Sequence, residues 1–179
     1  MKILSLIKII YFKFLSPNKV ARVMGVNFGK NCHFNTKNFG SEANFIKIGD
    51  NFYSASKVEF ITHDGSVNVL RNLYDDLKEI DSFKPIIIGN NVFIGRGVTI
   101  LPGTKMGDNI IVGAASLVRG SLNSNSVYAG VPARYICSIE EYREKNENNF
   151  IFTKKMNKDT KKLYIDNWLA ENYKDFGPY

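Results

Sequence analysis

Ile88-Gly-Asn-Asn-Val-Phe93, Ile94-Gly-Arg-Gly-Val-Thr99, Ile100-Leu-Pro-Gly-Thr-Lys105, Met106-Gly-Asp-Asn-Ile-Ile111, Val112-Gly-Ala-Ala-Ser-Leu117 and Val118-Arg-Gly-Ser-Leu-Asn123 run head to tail as six-residue units. The first position is always apolar, and the second is glycine in four of the six. A fixed short period marks a repeat architecture. Six residues do not fit a helix of 3.6 residues per turn. They do fit the two-residue alternation of strands. Each hexad therefore reads as a short strand and a tight corner, with its first residue pointing inward. Gly89, Gly95, Gly107 and Gly113 suit corners or close backbone approach. Asn90, Asn91, Asp108 and Asn109 are turn formers that tolerate left-handed backbone. Three hexads close one triangular coil, and coils stack at about 4.8 Å. The clean hexads thus predict about two coils of a parallel β-helix. The period does not set the handedness.

Upstream the repeat is looser. Phe28-Gly-Lys-Asn-Cys-His33, Ile48-Gly-Asp-Asn-Phe-Tyr53 and Ser54 to Glu59 keep the register. It is lost between Phe60 and Ile88, which predicts a loop excursion over residues 64–85. Loops of this length in compact folds are usually functional or disordered.

The 179 residues carry a net charge of +7. Much of the excess is Lys154, Lys155, Lys158, Lys161 and Lys162, read as a solvated helix face. No aromatic-basic RNA motif or recognition helix accompanies them, so nucleic acid is not an expected partner. Cys32 and Cys137 are the only cysteines, without a Cys-x-x-Cys. Zinc and redox motifs are unsupported, and no metal is expected. Cys32 reads as a small core residue. The low cysteine content fits a cytoplasmic location.

Three regions are expected: an apolar, basic helical segment at 1–20, the β-helix at 21–137, and helices over 138–179. Residues 1–16 are too short and too charged to span a bilayer, and no cleavage site follows. They read either as a helix capping the open end of the coil or as a peripheral contact with the inner face of the membrane, lysines snorkelling. Ser138 followed by acidic residues is a helix start. A second helix is expected from about Asp159 to Tyr173, anchored by Leu163, Trp168 and Leu169.

Chemistry is sought first at the two histidines. His63 lies where the coil gives way to the excursion, on rigid strand beside a loop. Histidine ionises near neutrality and suits a general base. A hydrogen-bonded turn histidine is the plain alternative. His33, inside an early hexad, reads as structural or surface.

The hexads, Ile61-Thr-His-Asp-Gly65 with its loop, Val112-Gly-Ala-Ala-Ser-Leu-Val118, and Ala129-Gly-Val-Pro-Ala-Arg134 after Asn125-Ser-Val-Tyr128 together resemble the hexapeptide-repeat acyltransferases. Within them the chain looks most like the sugar and xenobiotic O-acetyltransferases, in particular those of bacterial capsule and lipopolysaccharide. The resemblance covers about residues 46–142 and implies a left-handed parallel β-helix, a homotrimer, and acetyl-coenzyme A between neighbouring coils. It maps the catalytic base onto His63. It maps cofactor contacts onto Arg96, Gly113, Ala114, Arg119, Pro132 and Arg134, with Arg119 and Arg134 suiting the phosphates. Phe93 stands where many relatives carry Trp, and Arg119-Gly120-Ser121 replaces a common Lys-Asp. Direct transfer to a sugar hydroxyl is the implied reaction, with backbone N–H groups near Gly95 or Ala114 facing the developing oxyanion. Asp64, Glu59 or a backbone carbonyl would orient the imidazole. Asp64, Arg71 and Tyr74 in the excursion are candidates to read the acceptor. N-acylation of an amino sugar nucleotide and a non-catalytic trimeric scaffold are the competing readings. A γ-type carbonic anhydrase fits poorly with two histidines.

Overall fold

The computed structural model describes residues 12–173. The expectations for the first eleven residues therefore lie outside the described part. Two compact units divide the chain at Tyr142/Arg143.

The first unit is a coil with three faces. Face A stacks β1 (Asn27–Phe28), β2 (Ile46–Ile48), β5 (Ile86–Ile88), β8 (Lys105–Met106) and β11 (Ser121–Leu122). Face B stacks β3 (Tyr53–Ser54), β6 (Val92–Ile94), β9 (Ile110–Val112) and β12 (Ser126–Ala129). Face C stacks β4 (Glu59–Phe60), β7 (Thr99–Ile100) and β10 (Leu117–Val118). All these pairings are parallel; only β13 (Arg134–Ser138) returns antiparallel, on β12. The predicted hexads become strand and corner in register, with Ile87 opposite Lys105 and Val92 opposite Ile110, 18 residues apart. The pair Ile46–Ile86 is 40 apart, so 22 residues are inserted.

The corners explain the hexad composition. Asn31, Asn51, Asn91, Asn109 and Asn125 all have positive φ and stack at the corner from face A to face B. Asparagine bears this conformation better than other side chains. Successive amides in this row bond one another: Asn91 Nδ2 donates to Asn109 Oδ1 at 2.9 Å, and Asn109 to Asn125 at 2.8 Å. Asn90 and Asp108 act differently from the expectation, bonding through their side chains: Asp108 Oδ1 accepts from Asn90 N at 2.6 Å. Glycine is required at Gly95 because a Cβ would lie 2.5 Å from the Ala114 nitrogen.

Inside, the N-terminal coils are filled by Phe34, Phe39, Phe52 and Phe60, and the C-terminal coils by Ile86, Ile94, Ile100, Ile110 and Val112. Helix α1 (Pro17–Met24) contributes Val20 and Ala21 to the same core. Asn18 of α1 bonds Cys32 O and Phe34 N, partnering backbone of the first coil. Cys32 is half-buried against the core, and burial raises its thiol pKa.

The insertion is not a structureless loop. It holds α2 (Val67–Leu73) and a short 3₁₀ turn, and it is closed at its neck by an antiparallel bridge between His63 and Phe83. Helix α3 (Ile139–Asn146) starts as expected at Ser138, whose hydroxyl accepts from Glu141 N while Glu141 accepts from Ser138 N. In the second unit, helix α4 (Lys158–Asn172) is capped by Asn157. Of its expected anchors Leu163 is exposed, while Trp168 and Leu169 are half-buried and Trp168 packs on Tyr173. The lysines of α4 share one side, but its apolar residues are spread round the helix and leave no single apolar stripe to bury. No helix among the described residues is long and apolar enough to cross a membrane.

Candidate active site

Face C ends at Phe60, and the next three residues turn the corner toward face A. Ile61 N–H donates to Ile100 O, which keeps the turn in the coil ladder. Asp64 N–H donates to Ser82 O and Lys84 N–H to Thr62 O, each at 2.9 Å. His63 is thus held at the neck of the insertion by backbone on both sides.

Its orienting partner is Glu42. Glu42 Oε2 accepts from His63 Nδ1 at 3.0 Å and from the Thr62 hydroxyl at 2.9 Å. Partial desolvation opposes ionisation of Glu42, but the hydrogen bonds from His63 and Thr62 outweigh it and hold the carboxyl below its usual range. An ionised carboxylate only accepts, so Nδ1 is the donor, and in the neutral ring Nε2 then carries the lone pair. The partners expected from sequence are occupied elsewhere. Glu59 accepts from the Asn38 amide, and Asp64 accepts from Ser66 N–H; hydrogen bonding by the Ser66 side chain and then its backbone lowers the Asp64 pKa. Glu42 carried no sequence signal, being 21 residues before His63 in an irregular stretch; stacking of coils brings the two together.

Two clefts meet at His63. One, of about 360 Å³, continues over Lys84, Leu101 and Pro102. The other, of about 300 Å³, runs past Glu42, Arg71, Asp81 and Phe83. Asp64 lines both. Arg71 lines the second, but its guanidinium braces the insertion through Ile80 O, at 2.8 Å, and Asp81. Tyr74 lines neither cleft.

The expected cofactor contacts fall at two different edges of face C. Arg119 follows β10 and lies beside Leu101, whose N–H donates to Val118 O, so it shares the His63 edge. Arg96 and Ala114 are exposed at the other edge, between faces B and C. Gly113 precedes Ala114 there, and Pro132 lies in the Gly130–Ala133 turn bonded to Ser116 and Leu117, just before Arg134. Within one copy, His63 and the Arg96–Ala114 edge are therefore separated by the width of face C. Gly95 cannot offer its N–H to a ligand, because it donates to Val112 O at 2.8 Å. Among the described residues no backbone carbonyl takes the Arg96 or Ala114 N–H.

Residues 85–120 match the family model for the bacterial transferase hexapeptide, six repeats. The chain is 44% identical over 161 residues to Protein CapG of Staphylococcus aureus, covering 88% of this chain and 91% of that one. It is 40% identical over 97 residues to the putative lipopolysaccharide biosynthesis O-acetyl transferase WbbJ of Escherichia coli K12, covering 51% of this chain and about half, 49%, of that relative. A solved galactoside acetyltransferase in complex with coenzyme A superposes with a TM-score of 0.50 at 28% identity, covering 74% of this chain and 78% of that one. The chain belongs to the bacterial hexapeptide-repeat transferase family and is an acyltransferase of that family.

Glu42→Gln is expected to lower kcat on the order of 10-fold, about 1.4 kcal/mol of barrier. The acid limb of the pH–rate profile should move to lower pH, because a neutral amide no longer favours the imidazolium. Steady-state rates across pH check both. Since the Glu42 pKa is lowered in the fold, its contribution to stability is present above the ordinary carboxylate pKa and is lost as pH falls through the lowered one.

Proposed function

We propose that this protein transfers acetyl from acetyl-coenzyme A to a sugar hydroxyl in bacterial surface-polysaccharide synthesis, as a homotrimer of left-handed coils. The observation that carries the reading is the His63–Glu42 pair at the neck of the insertion, with Nε2 left as a base beside two clefts. The likeness to the lipopolysaccharide O-acetyl transferase and to the galactoside acetyltransferase supports the acceptor class. The residues present fit the donor: two exposed N–H groups suit its amide-bearing arm, and exposed Arg119 and Arg134 suit its phosphates.

His63 Nε2 takes the hydroxyl proton as that oxygen adds to the thioester carbonyl. Ala114 N–H donates to the charge that develops on the carbonyl oxygen. A C–O ester bond forms, the C–S bond breaks, and His63 returns its proton to the leaving thiolate. Glu42 holds the ring and stabilises its charged form while the proton is on it. The sequence of residues 1–16, apolar and lysine-bearing, supports a place at the inner face of the membrane.

The two-edge arrangement supports the trimer: a neighbouring copy brings its Arg96–Ala114 edge to this copy's His63. Co-expression of His63→Ala and Ala114→Trp copies tests it. Each variant alone should lose about 10²-fold or more in activity, and mixed trimers should regain about one working site in three. Acetyl transfer is followed as an alkali-labile ester on the product. No recovery in isolated mixed trimers would overturn the shared site, and an alkali-stable amide would overturn O-transfer.

A further inference from the structure

Along the edge that carries His63, the order from N-terminal to C-terminal coils is Glu42, His63, Leu101–Pro102, Arg119. The cleft over Leu101 and Pro102 lies on the side of His63 that faces Arg119, an expected phosphate contact, and is assigned to the donor. The cleft on the Glu42 side is then left for the acceptor. Its lining is of a different kind.

Three carboxylates face it, Glu42, Asp64 and Asp81. Among the described residues lining it the one cation is Arg71, already spent on Ile80 O and Asp81. Glu42 and Asp64 are both held ionised by their hydrogen bonds. A diphosphate brought into such a cleft meets like charge without a free counter-charge among the described residues that line it. Hydroxyl groups, by contrast, donate well to carboxylates. The cleft also has an apolar wall. Phe83 lines it and is 47% exposed, its ring backed edge to face by Phe45 at 6.0 Å. The Phe83 centroid lies 6.5 Å from that of His63. An aromatic face beside hydroxyl acceptors matches a pyranose, which has C–H faces and an O–H rim.

We propose that the Glu42–Asp81–Phe83 cleft seats the acceptor as an uncharged sugar unit against Phe83, and that it disfavours a sugar nucleotide whose diphosphate would enter the same cleft. This rests on the acetyl-transfer reading above and names its acceptor. The enzyme selects on hydroxyls and ring face, so a glycosyl unit already free of its nucleotide is the substrate.

The test is acetylation of a panel of methyl glycosides of bacterial hexoses and 6-deoxyhexoses, each beside its UDP- or dTDP-linked form, with wild type, Phe83→Ala, Phe83→Tyr and Asp81→Asn. At least one glycoside is expected to react with kcat/KM 10-fold or more above its nucleotide form. Phe83→Ala should raise the glycoside KM about 10-fold with the acetyl-coenzyme A KM unchanged, and Phe83→Tyr should restore it. Asp81→Asn should narrow the discrimination against the nucleotide form. Preference for the nucleotide form, or a Phe83→Ala effect on the acetyl-coenzyme A KM instead, overturns the subsite while leaving acetyl transfer standing. If acetyl-coenzyme A binds calorimetrically but no panel member is acetylated, the proposal fails. If it does not bind, the acetyl-transfer reading fails with it.

Discussion

His63→Ala is expected to reduce kcat by about 10²–10⁴-fold, the usual worth of a positioned general base. Its alanine form should still bind coenzyme A and keep its oligomeric state. The reason is geometric. The ring is held by Glu42 at 3.0 Å, and its side chain is 45% exposed. The coil does not depend on it for packing, since the neck of the insertion is tied by backbone bonds from Asp64 and Lys84. The losses should therefore fall on turnover. His63→Gln is a useful companion, because it keeps a polar side chain at the corner without a base of comparable strength. Single-turnover acetyl transfer, calorimetric titration of coenzyme A and light scattering check the three expectations. Near-wild-type turnover of the alanine form would remove His63 from the mechanism.

Phe34→Ala should cost about 3–5 kcal/mol of stability, the range for deleting a buried phenylalanine ring. Phe34 is 1% exposed and is the hub of the aromatic end of the core. Its ring meets Phe28 at 5.0 Å, Phe52 at 5.1 Å and Phe39 at 5.4 Å. These rings are locked by coil backbone above and by α1 below, so the cavity cannot collapse easily. Phe152→Ala, at 93% exposure, is the control and should stay within about 0.5 kcal/mol. Urea denaturation followed by circular dichroism measures both. Equal effects would mean that the aromatic layer is not the support described here.

The coil was readable because its code is local. An inward apolar residue, a glycine where backbones crowd and an asparagine where φ turns positive recur within six residues, as at Ile88, Gly89 and Asn91. The insertion was readable as a broken period, though α2 inside it was not. The orienter of His63 was misread, because proximity in sequence favoured Asp64 and Glu59. Asp64 turns back to Ser66, and Glu59 points out from face C to Asn38. At Gly95 the fold narrows the choice: its N–H belongs to the ladder of the next coil, whereas the N–H of the neighbouring Arg96 has no backbone acceptor among the described residues. Arg71, a candidate from sequence to read the acceptor, is a brace in the fold.

By itself, then, the sequence determined the scaffold, the place where it is interrupted and the histidine at that interruption, since each follows from residues no more than a few positions apart. Only the tertiary structure decided what stands around that histidine. Stacking carries Glu42 across one coil to Nδ1, places separate clefts on either side of the ring, and sends Arg96 and Ala114 to the far edge of face C. Those relations depend on register between coils and on the width of a face, and neither is encoded in any single hexad.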